Sequence, residues 1–388
     1  MEATYEFEKK YRDQILRCSS CGFCQAVCPI FGLTLRPAMN TRGKMLLLKE
    51  LMDGSLEPSA EIADIFYTCT ACKACTYTCP AGVEGNEIVE EVRKRLYKDG
   101  LAPESLTGVR DSIFKQGNVF ASAQDERIEI YPPVLREKVR KGELKSHAET
   151  LLFMGCLPSY MDMKIVPSFI KSLDAAGVDY TTLATEETCC GFPLYLMGSD
   201  EFEPQARRLI EKMRATGARE LVTPCAGCYK TFTTLYPEIG DLGLNVYHSV
   251  QYFDRLINEG RIELKGELSG KITYHDPCDL GRSCKIFEEP RNILKRVPGV
   301  EFVEMEKNRL DARCCGGGGG MQAYNPEMAV DMAALRVRDA LDVGAELIVS
   351  GCPACKDNLR KGARAIPKEE RGKIKIMDIT EVVINAAG

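Results

Sequence analysis

The sequence predicts an α/β protein, with a mainly helical N-terminal domain followed by two copies of one strand-and-helix domain. Three observations lead there. The 388 residues contain 19 cysteines, and eighteen of them fall into two patterns that each occur twice. From Thr150 onward, the separations of Cys156 from Cys278, Cys189 from Cys314 and Cys225 from Cys352 grow slowly from 122 to 127 residues, as in a duplicated domain with small insertions. Short apolar runs alternate in this region with patterns of helical period, which is how α/β layers read in sequence. The expected divisions are 1–100, a connector over 101–148, and repeats over 149–265 and 266–388.

In the first division, Cys18, Cys21, Cys24 and Cys28 precede Pro29, and Cys69, Cys72, Cys75 and Cys79 precede Pro80. Both runs read C-x2-C-x2-C-x3-C-P. Structural zinc draws its four ligands from two pairs. The spacing here is instead that of bacterial ferredoxins, in which the fourth cysteine of each run ligates the other cluster. Two cubane 4Fe-4S clusters are expected, one on Cys18, Cys21, Cys24 and Cys79, the other on Cys69, Cys72, Cys75 and Cys28. Between the runs, the stretch from Thr41 reads as an amphipathic helix ended at Gly54, and Asn86 to Lys98 reads as another with Ile88, Val89, Val92 and Leu96 on one side. Arg42 and Lys44 on the first of these read as a solvated face, the alternative being a docking edge for an acidic carrier.

The connector holds Pro132-Pro133 and no cysteine, and no chemistry is expected of it. His147 at its end reads as a surface histidine. In each repeat an apolar run leads into a cysteine: Thr150–Gly155 into Cys156, Glu220–Pro224 into Cys225, Lys271–Asp276 into Cys278 and Glu346–Gly351 into Cys352. These read as buried strands whose C-terminal ends deliver the cysteines. Helical patterns lie between, around Phe202 to Met213 and Met328 to Leu341, with their methionines as core filler. The adjacent pairs Cys189-Cys190 and Cys314-Cys315 can meet one site only where the backbone turns sharply, which Gly191 and Gly316 allow. The Gly316–Gly320 run lacks the Gly-Lys-Ser/Thr ending of a phosphate loop. Gly191, Gly316 and Gly317 are instead expected to bring backbone N–H groups to a cluster.

At this point the residues resemble a known family, the heterodisulfide reductase family of CCG-domain proteins. The resemblance rests on His275-Asp-Pro-Cys278-Asp-Leu-Gly-Arg282, Cys314-Cys315-Gly316-Gly317-Gly318 and Gly351-Cys352-Pro-Ala-Cys355, and covers nearly the whole chain. Iron-sulfur subunits of glycolate, lactate and anaerobic glycerol-3-phosphate dehydrogenases share the architecture. It implies a mainly helical two-cluster ferredoxin domain followed by two duplicated α/β CCG domains. It also implies a noncubane 4Fe-4S cluster in each repeat, one on Cys156, Cys189, Cys190, Cys225 and Cys228, the other on Cys278, Cys314, Cys315, Cys352 and Cys355. In the reductases a disulfide is cleaved between these two clusters with electrons arriving from the cubanes. His275 is the candidate catalytic residue, either supplying a proton to a departing thiolate or hydrogen-bonding a cluster. Anchoring the turn through Asp276 and Pro277 is its structural alternative. His248 reads as without function, and Cys284 as an inert, partly buried thiol.

Two functions stay open on this reading. One is reduction of a disulfide, with the N-terminal domain as its wire; the other is electron transfer within a larger flavoprotein dehydrogenase or electron-bifurcating complex. A structural multi-metal scaffold fits less well, since paired cubane clusters suit electron transfer. A chain with four clusters and no flavin or nicotinamide motif is expected to work with partners: a flavoprotein, a ferredoxin-like carrier or a membrane cytochrome. The formal net charge of −5 and the lack of a long basic block argue against nucleic acid. Hydrophobic residues make up 45% of the chain, enough for several cores, so a disulfide-stapled secreted scaffold is not expected. Without an apolar leader or a membrane-length apolar run, a reducing cytoplasm is the expected compartment, with attachment to the inner face of a membrane only through a partner.

Overall fold

The computed structural model describes residues 7, 9–145 and 147–387. Its N-terminal part is helical. Helices Lys9–Arg17, Thr41–Asp53, Ala60–Tyr67 and Gly85–Lys98 enclose a core of Ile15, Met45, Leu48, Phe66, Ile88 and Val92. The helix expected from Thr41 is capped by the Asn40 side chain, which accepts from the Gly43 N–H at 3.2 Å, and it ends at left-handed Gly54. The two cysteine runs fold alike. Each has a residue at positive φ, Gly22 (φ 89) or Lys73 (φ 64), then a one-turn helix, Phe23–Val27 or Ala74–Thr78, then an extended fourth cysteine.

The remainder contains two parallel four-stranded sheets. The first comprises β1 (Thr150–Leu152), β2 (Tyr180–Thr182), β3 (Glu220–Thr223) and β4 (Asn245–His248) in the order β2-β1-β3-β4. The second comprises β5 (Gly270–His275), β6 (Val300–Phe302), β7 (Leu347–Ser350) and β8 (Lys375–Asp378) in the matching order β6-β5-β7-β8. The strands run parallel because each connection carries a helix back across the sheet, and the central strands are buried on both faces, as the all-buried β1 and β7 show. Pairing of Leu151 with Leu221, and of Ile272 with Leu347, sets the C-terminal ends of each central pair side by side. Cys156 and Cys225 leave one such edge and Cys278 and Cys352 the other, at the carboxyl ends where α/β sheets hold their ligands.

The two repeats share one core, in which Phe169 and Phe253 of the first join Ile348 and Val382 of the second. Helix Ile165–Ala175 packs on Ile379–Ala387. His248 is fully buried where the halves meet. Its ring accepts from the Val250 N–H and caps helix Ser249–Asn258, and burial holds it down to about 3, so it stays neutral. The histidine with no chemistry is thus a helix cap.

The connector wraps against the first repeat. It folds into helices Glu104–Gln116 and Pro133–Arg140, and it is anchored by a fully buried ion pair between Arg127 and Glu187 at 2.5 Å. The Glu187 carboxylate also accepts from the N–H groups of Met154 and Gly155, each at 2.8 Å. Gly117 C=O accepts from Cys189 N–H at 2.7 Å. The segment therefore belongs to the wall of the first cysteine site. Nothing in its charged composition signals this, because the contacts that place it are to residues far along the chain.

Candidate metal centres

Two hollows lie in the N-terminal domain. Cys18, Cys21, Cys24 and Cys79 line one, and Cys28, Cys69 and Cys72 line the other, with Cys75 between them on the rim of both. Electrostatic neighbours divide the same way: Cys24 feels Cys18 and Cys21, while Cys75 feels Cys72, Cys69 and Cys28. The first hollow opens to solvent at Cys21, beside Phe23 at 57% exposure. The second lies deeper, with Cys72 buried, and burial pushes the Cys28 thiol up to about 11.

In each repeat five cysteines form a continuous chain of thiol contacts. In the first the order is Cys156, Cys189, Cys190, Cys228, Cys225, with Cys228 Sγ 3.4 Å from Cys190 Sγ. In the second the order is Cys278, Cys314, Cys315, Cys355, Cys352. The adjacent pair is central in both, which is the use its glycine-allowed turn was expected to have. Gly191 N–H points at Cys189 Sγ (3.4 Å), Gly316 N–H at Cys314 Sγ (3.4 Å) and Gly317 N–H at Cys315 Sγ (3.5 Å). Gly319 serves packing. With φ 68, its position for a Cβ lies 2.5 Å from the Thr70 backbone, so the glycine run seats directly on the ferredoxin-like domain.

These sites adjoin one another. Cys72 hydrogen-bonds Cys314, so the deeper N-terminal hollow abuts the second repeat. Cys352 faces Cys225, so the second repeat abuts the first. Between the repeats lies a cleft of about 360 Å³ bordered by Cys156, Cys189, Cys190, Cys225, Cys228 and Cys352. Its walls are mostly apolar, with Leu106, Val119 and Phe120 from the connector facing Phe192, Leu196 and Met197. Asp279, Gln322 and Lys361 supply polar groups to its lining.

His275 ends β5 and is 1% exposed. Its Nδ1 accepts from Arg336 Nε at 3.1 Å, and Arg336 is held in turn by Lys307 C=O and by Asp339. A guanidinium cannot accept, so the imidazole proton sits on Nε2. A ring nitrogen of His275 and the sulfurs of Cys315 and Cys355 all lie within 4.8 Å of one another, and His275 Nε2 is buried with no hydrogen-bond partner among the described residues. The matching residue at the end of the first repeat's strand is Met154, which has no such donor. Asp276 does not share the site: it forms a buried ion pair with Arg291 at 2.8 Å and caps the Arg309 N–H. Cys284 remains outside every cysteine group, 3.8 Å from Thr233, with burial pushing it up to about 11.

Three buried cations have roles that the cysteine spacing does not announce, and one of them corrects an expectation. Lys44 is 2% exposed rather than solvated, and its ammonium donates to Met39 C=O at 2.6 Å. Burial lowers its pKa against the pull of Cys69, Cys28 and Cys75. Arg93 is fully buried and donates only to backbone carbonyls, those of Phe66, Tyr67, Cys69, Leu196 and Gly319. Arg282 donates to the carbonyls of Cys72, Leu310 and Ala312. None of the three forms an ion pair with a carboxylate among the described residues, although buried charge is strongly disfavoured unless compensated. All three surround the hollow of Cys28, Cys69, Cys72 and Cys75. A permanently anionic group held by cysteine thiolates supplies the missing charge, so the residues fit an iron-sulfur cluster.

The comparisons with known proteins agree with this chemistry. The cysteine-rich CCG domain matches residues 150–233 and 272–360, and a 4Fe-4S dicluster domain matches residues 14–83. Over 96% of this chain and 93% of the relative, the sequence is 32% identical to a subunit of the dihydromethanophenazine:CoB–CoM heterodisulfide reductase of Methanosarcina barkeri. The chain belongs to the heterodisulfide reductase family of CCG-domain proteins. The corresponding protein of Methanosarcina acetivorans is 30% identical over the same shares. The EtfAB:quinone oxidoreductase of Syntrophomonas wolfei is 27% identical over 95% of this chain and 58% of its own length. The chain is thus an iron-sulfur oxidoreductase, and its heterodisulfide reductase relatives are subunits of that enzyme. Among the described residues, no helix is long and apolar enough to cross a membrane.

Proposed function

We propose that this chain is the disulfide-reducing subunit of a redox complex, with two cubane clusters in the N-terminal domain and one noncubane cluster on each five-cysteine chain. When bound, the clusters carry electrons singly and present thiophilic iron to the two sulfurs of a disulfide. The observation that carries the reading is the cleft, which has cysteines of both repeats on its border and space for a small molecule. Its apolar walls exclude water and hold the substrate's body. Lys361, fixed by Asp357 at 2.6 Å and Gln322 at 2.9 Å, offers one cation to an anionic arm.

In this reading His275 is not the acid. Arg336 occupies Nδ1, so giving up the Nε2 proton would leave an imidazolate. Its role is to offer its unpartnered Nε2–H to a cluster held beside Cys315 and Cys355, which would make the second site easier to reduce than the first, where Met154 donates nothing. The contact of Cys72 with Cys314 supports an order in which that second site receives electrons next. The donor, a flavoprotein, a ferredoxin-like carrier or a membrane cytochrome, would meet the exposed hollow at Cys21 in the cytoplasm, with any membrane attachment through that partner. Kinship with the EtfAB:quinone oxidoreductase favours a second reading, an electron-transfer subunit without its own substrate.

Blocking the cleft separates the two readings. Gly318 borders the cleft, and a Cβ there would meet nothing within 4 Å. Gly318→Leu is expected to leave the iron content and dithionite reduction unchanged while lowering turnover of the CoB–CoM heterodisulfide or another active disulfide about 100-fold. Disulfide turnover undiminished by the variant, or no turnover of any disulfide by the parent protein, would contradict the reductase reading. In the same preparations His275→Phe should shift the second site's midpoint potential downward and His275→Gln, which keeps an N–H, should shift it less.

A further inference from the structure

A second sizeable cavity plays no part in this chemistry. It is a groove of about 590 Å³ where the two repeats meet, bounded by the segment Met163–Ser168 of the first repeat and, in the second, by helix Pro353–Ala365, by Arg371 to Met377 and by Glu381 and Asn385. Lys164, Arg360, Arg364, Arg371 and Lys375 converge on it from four separate segments. Glu381 is the one carboxylate in its lining, and it is already bound, with Asp162, to the buried ammonium of Lys356 at the floor. Arg360 has a loose partner in Asp162 at 3.6 Å. Lys164, Arg364, Arg371 and Lys375 form no ion pair among the described residues.

This pattern differs from an ordinary solvated face. Elsewhere some exposed arginines are matched, as in Arg207 with Glu203, Arg140 with Glu129 and Arg338 with Glu370, and others such as Arg36 and Arg296 are not matched among the described residues; the groove differs in bringing several unmatched cations to one concavity. The whole protein carries a formal charge of −5, yet here unmatched cations line a concavity, where low-dielectric walls concentrate their field. Its remaining lining combines apolar side chains such as Pro167, Ala363, Ile374 and Met377 with polar Ser168 and Asn385. Guanidinium forks beside apolar side chains suit phosphate, sulfonate or carboxylate groups attached to a less polar body. The volume falls in the range of small-molecule sites.

We infer that this groove binds a multiply anionic small molecule of nucleotide or coenzyme size. The site adjoins the cleft: Met161 borders the cleft and Met163 the groove, and Lys361 and Arg360 divide in the same way. The anion could therefore be a separate ligand or the charged end of a molecule whose other end enters the cleft. Only the second source rests on the disulfide-reductase reading.

Titration calorimetry of the intact, anaerobically purified iron-sulfur protein with inorganic tripolyphosphate tests the site. Saturable one-to-one binding is expected, weakened at least about 10-fold by the double change Arg364→Glu, Arg371→Glu. The double change Arg207→Glu, Arg140→Glu, which alters net charge equally but lies outside the groove, should leave it unchanged. Absence of saturable binding, or equal weakening by both pairs, would overturn the inference. If a disulfide turned over by the protein competes with tripolyphosphate, the groove holds that substrate's anionic end. Binding without competition assigns it to a separate ligand, and this result stands whether or not the chain reduces disulfides.

Discussion

Arg93→Met should weaken the whole assembly of domains. The guanidinium joins Phe66, Tyr67 and Cys69 of the N-terminal domain to Leu196 of the first repeat and Gly319 of the second. Methionine keeps most of the volume and leaves five buried carbonyls without this donor. It also removes a cation from beside the deeper cysteine hollow. Unsatisfied buried groups cost about 1–3 kcal/mol each, and partial rearrangement brings the expected loss to roughly 4 kcal/mol. Bleaching of the iron-sulfur absorbance on heating should then occur about 5 °C lower. Arg93→Lys should recover little, because an ammonium has three donors and no planar fork to span three domains. A bleaching temperature within about 1–2 °C of the parent would show that the domains are held by their apolar contacts alone.

Cys79→Ala should remove the cluster of the other run. Cys79 borders the open hollow with Cys18, Cys21 and Cys24, whereas Cys28 borders the deeper one with Cys69 and Cys72. One of the two reduced cubane signals in EPR is therefore expected to vanish in Cys79→Ala, and the other in Cys28→Ala. Pairs of changes make the test sharp, since effects at one shared site do not add. Cys79→Ala with Cys21→Ala should still lose one signal, while Cys79→Ala with Cys69→Ala should lose both. The opposite result would mean that each run holds its own cluster. Cys28→Ala should have the larger functional effect, because the deeper hollow is the one that touches the second repeat through Cys72.

The architecture was legible because cysteine spacing and strand periodicity are local signals. The apolar runs before Cys156, Cys225, Cys278 and Cys352 became β1, β3, β5 and β7, and the helices expected at Thr41 and Asn86 begin within one residue of those positions. The short edge strands β2, β4, β6 and β8 are not evident from sequence, since three or four residues carry little periodicity. Lys44 and Arg93 do carry a signal. Lys44 stands four residues before Leu48, and Arg93 stands four after Val89 and three before Leu96, so helical period places both cations on the apolar side. A charge in that stripe signals a buried anion or a set of carbonyls to be met. The connector's role in the cleft and the meeting of the two repeats depend on contacts between distant parts of the chain, and no local pattern announces them. The proton position on His275 likewise depends on Arg336, sixty-one residues away.

The central claim is that eighteen cysteines hold four clusters and that the ten in the repeats meet a disulfide. Iron quantitation and EPR of the anaerobically purified protein, titrated with candidate disulfides, test it most directly. About sixteen irons per chain and a paramagnetic signal that appears only with a disulfide are expected, taking four irons per cluster. About eight irons, with no response to any disulfide, would contradict it and leave an electron wire attached to two empty cysteine sites.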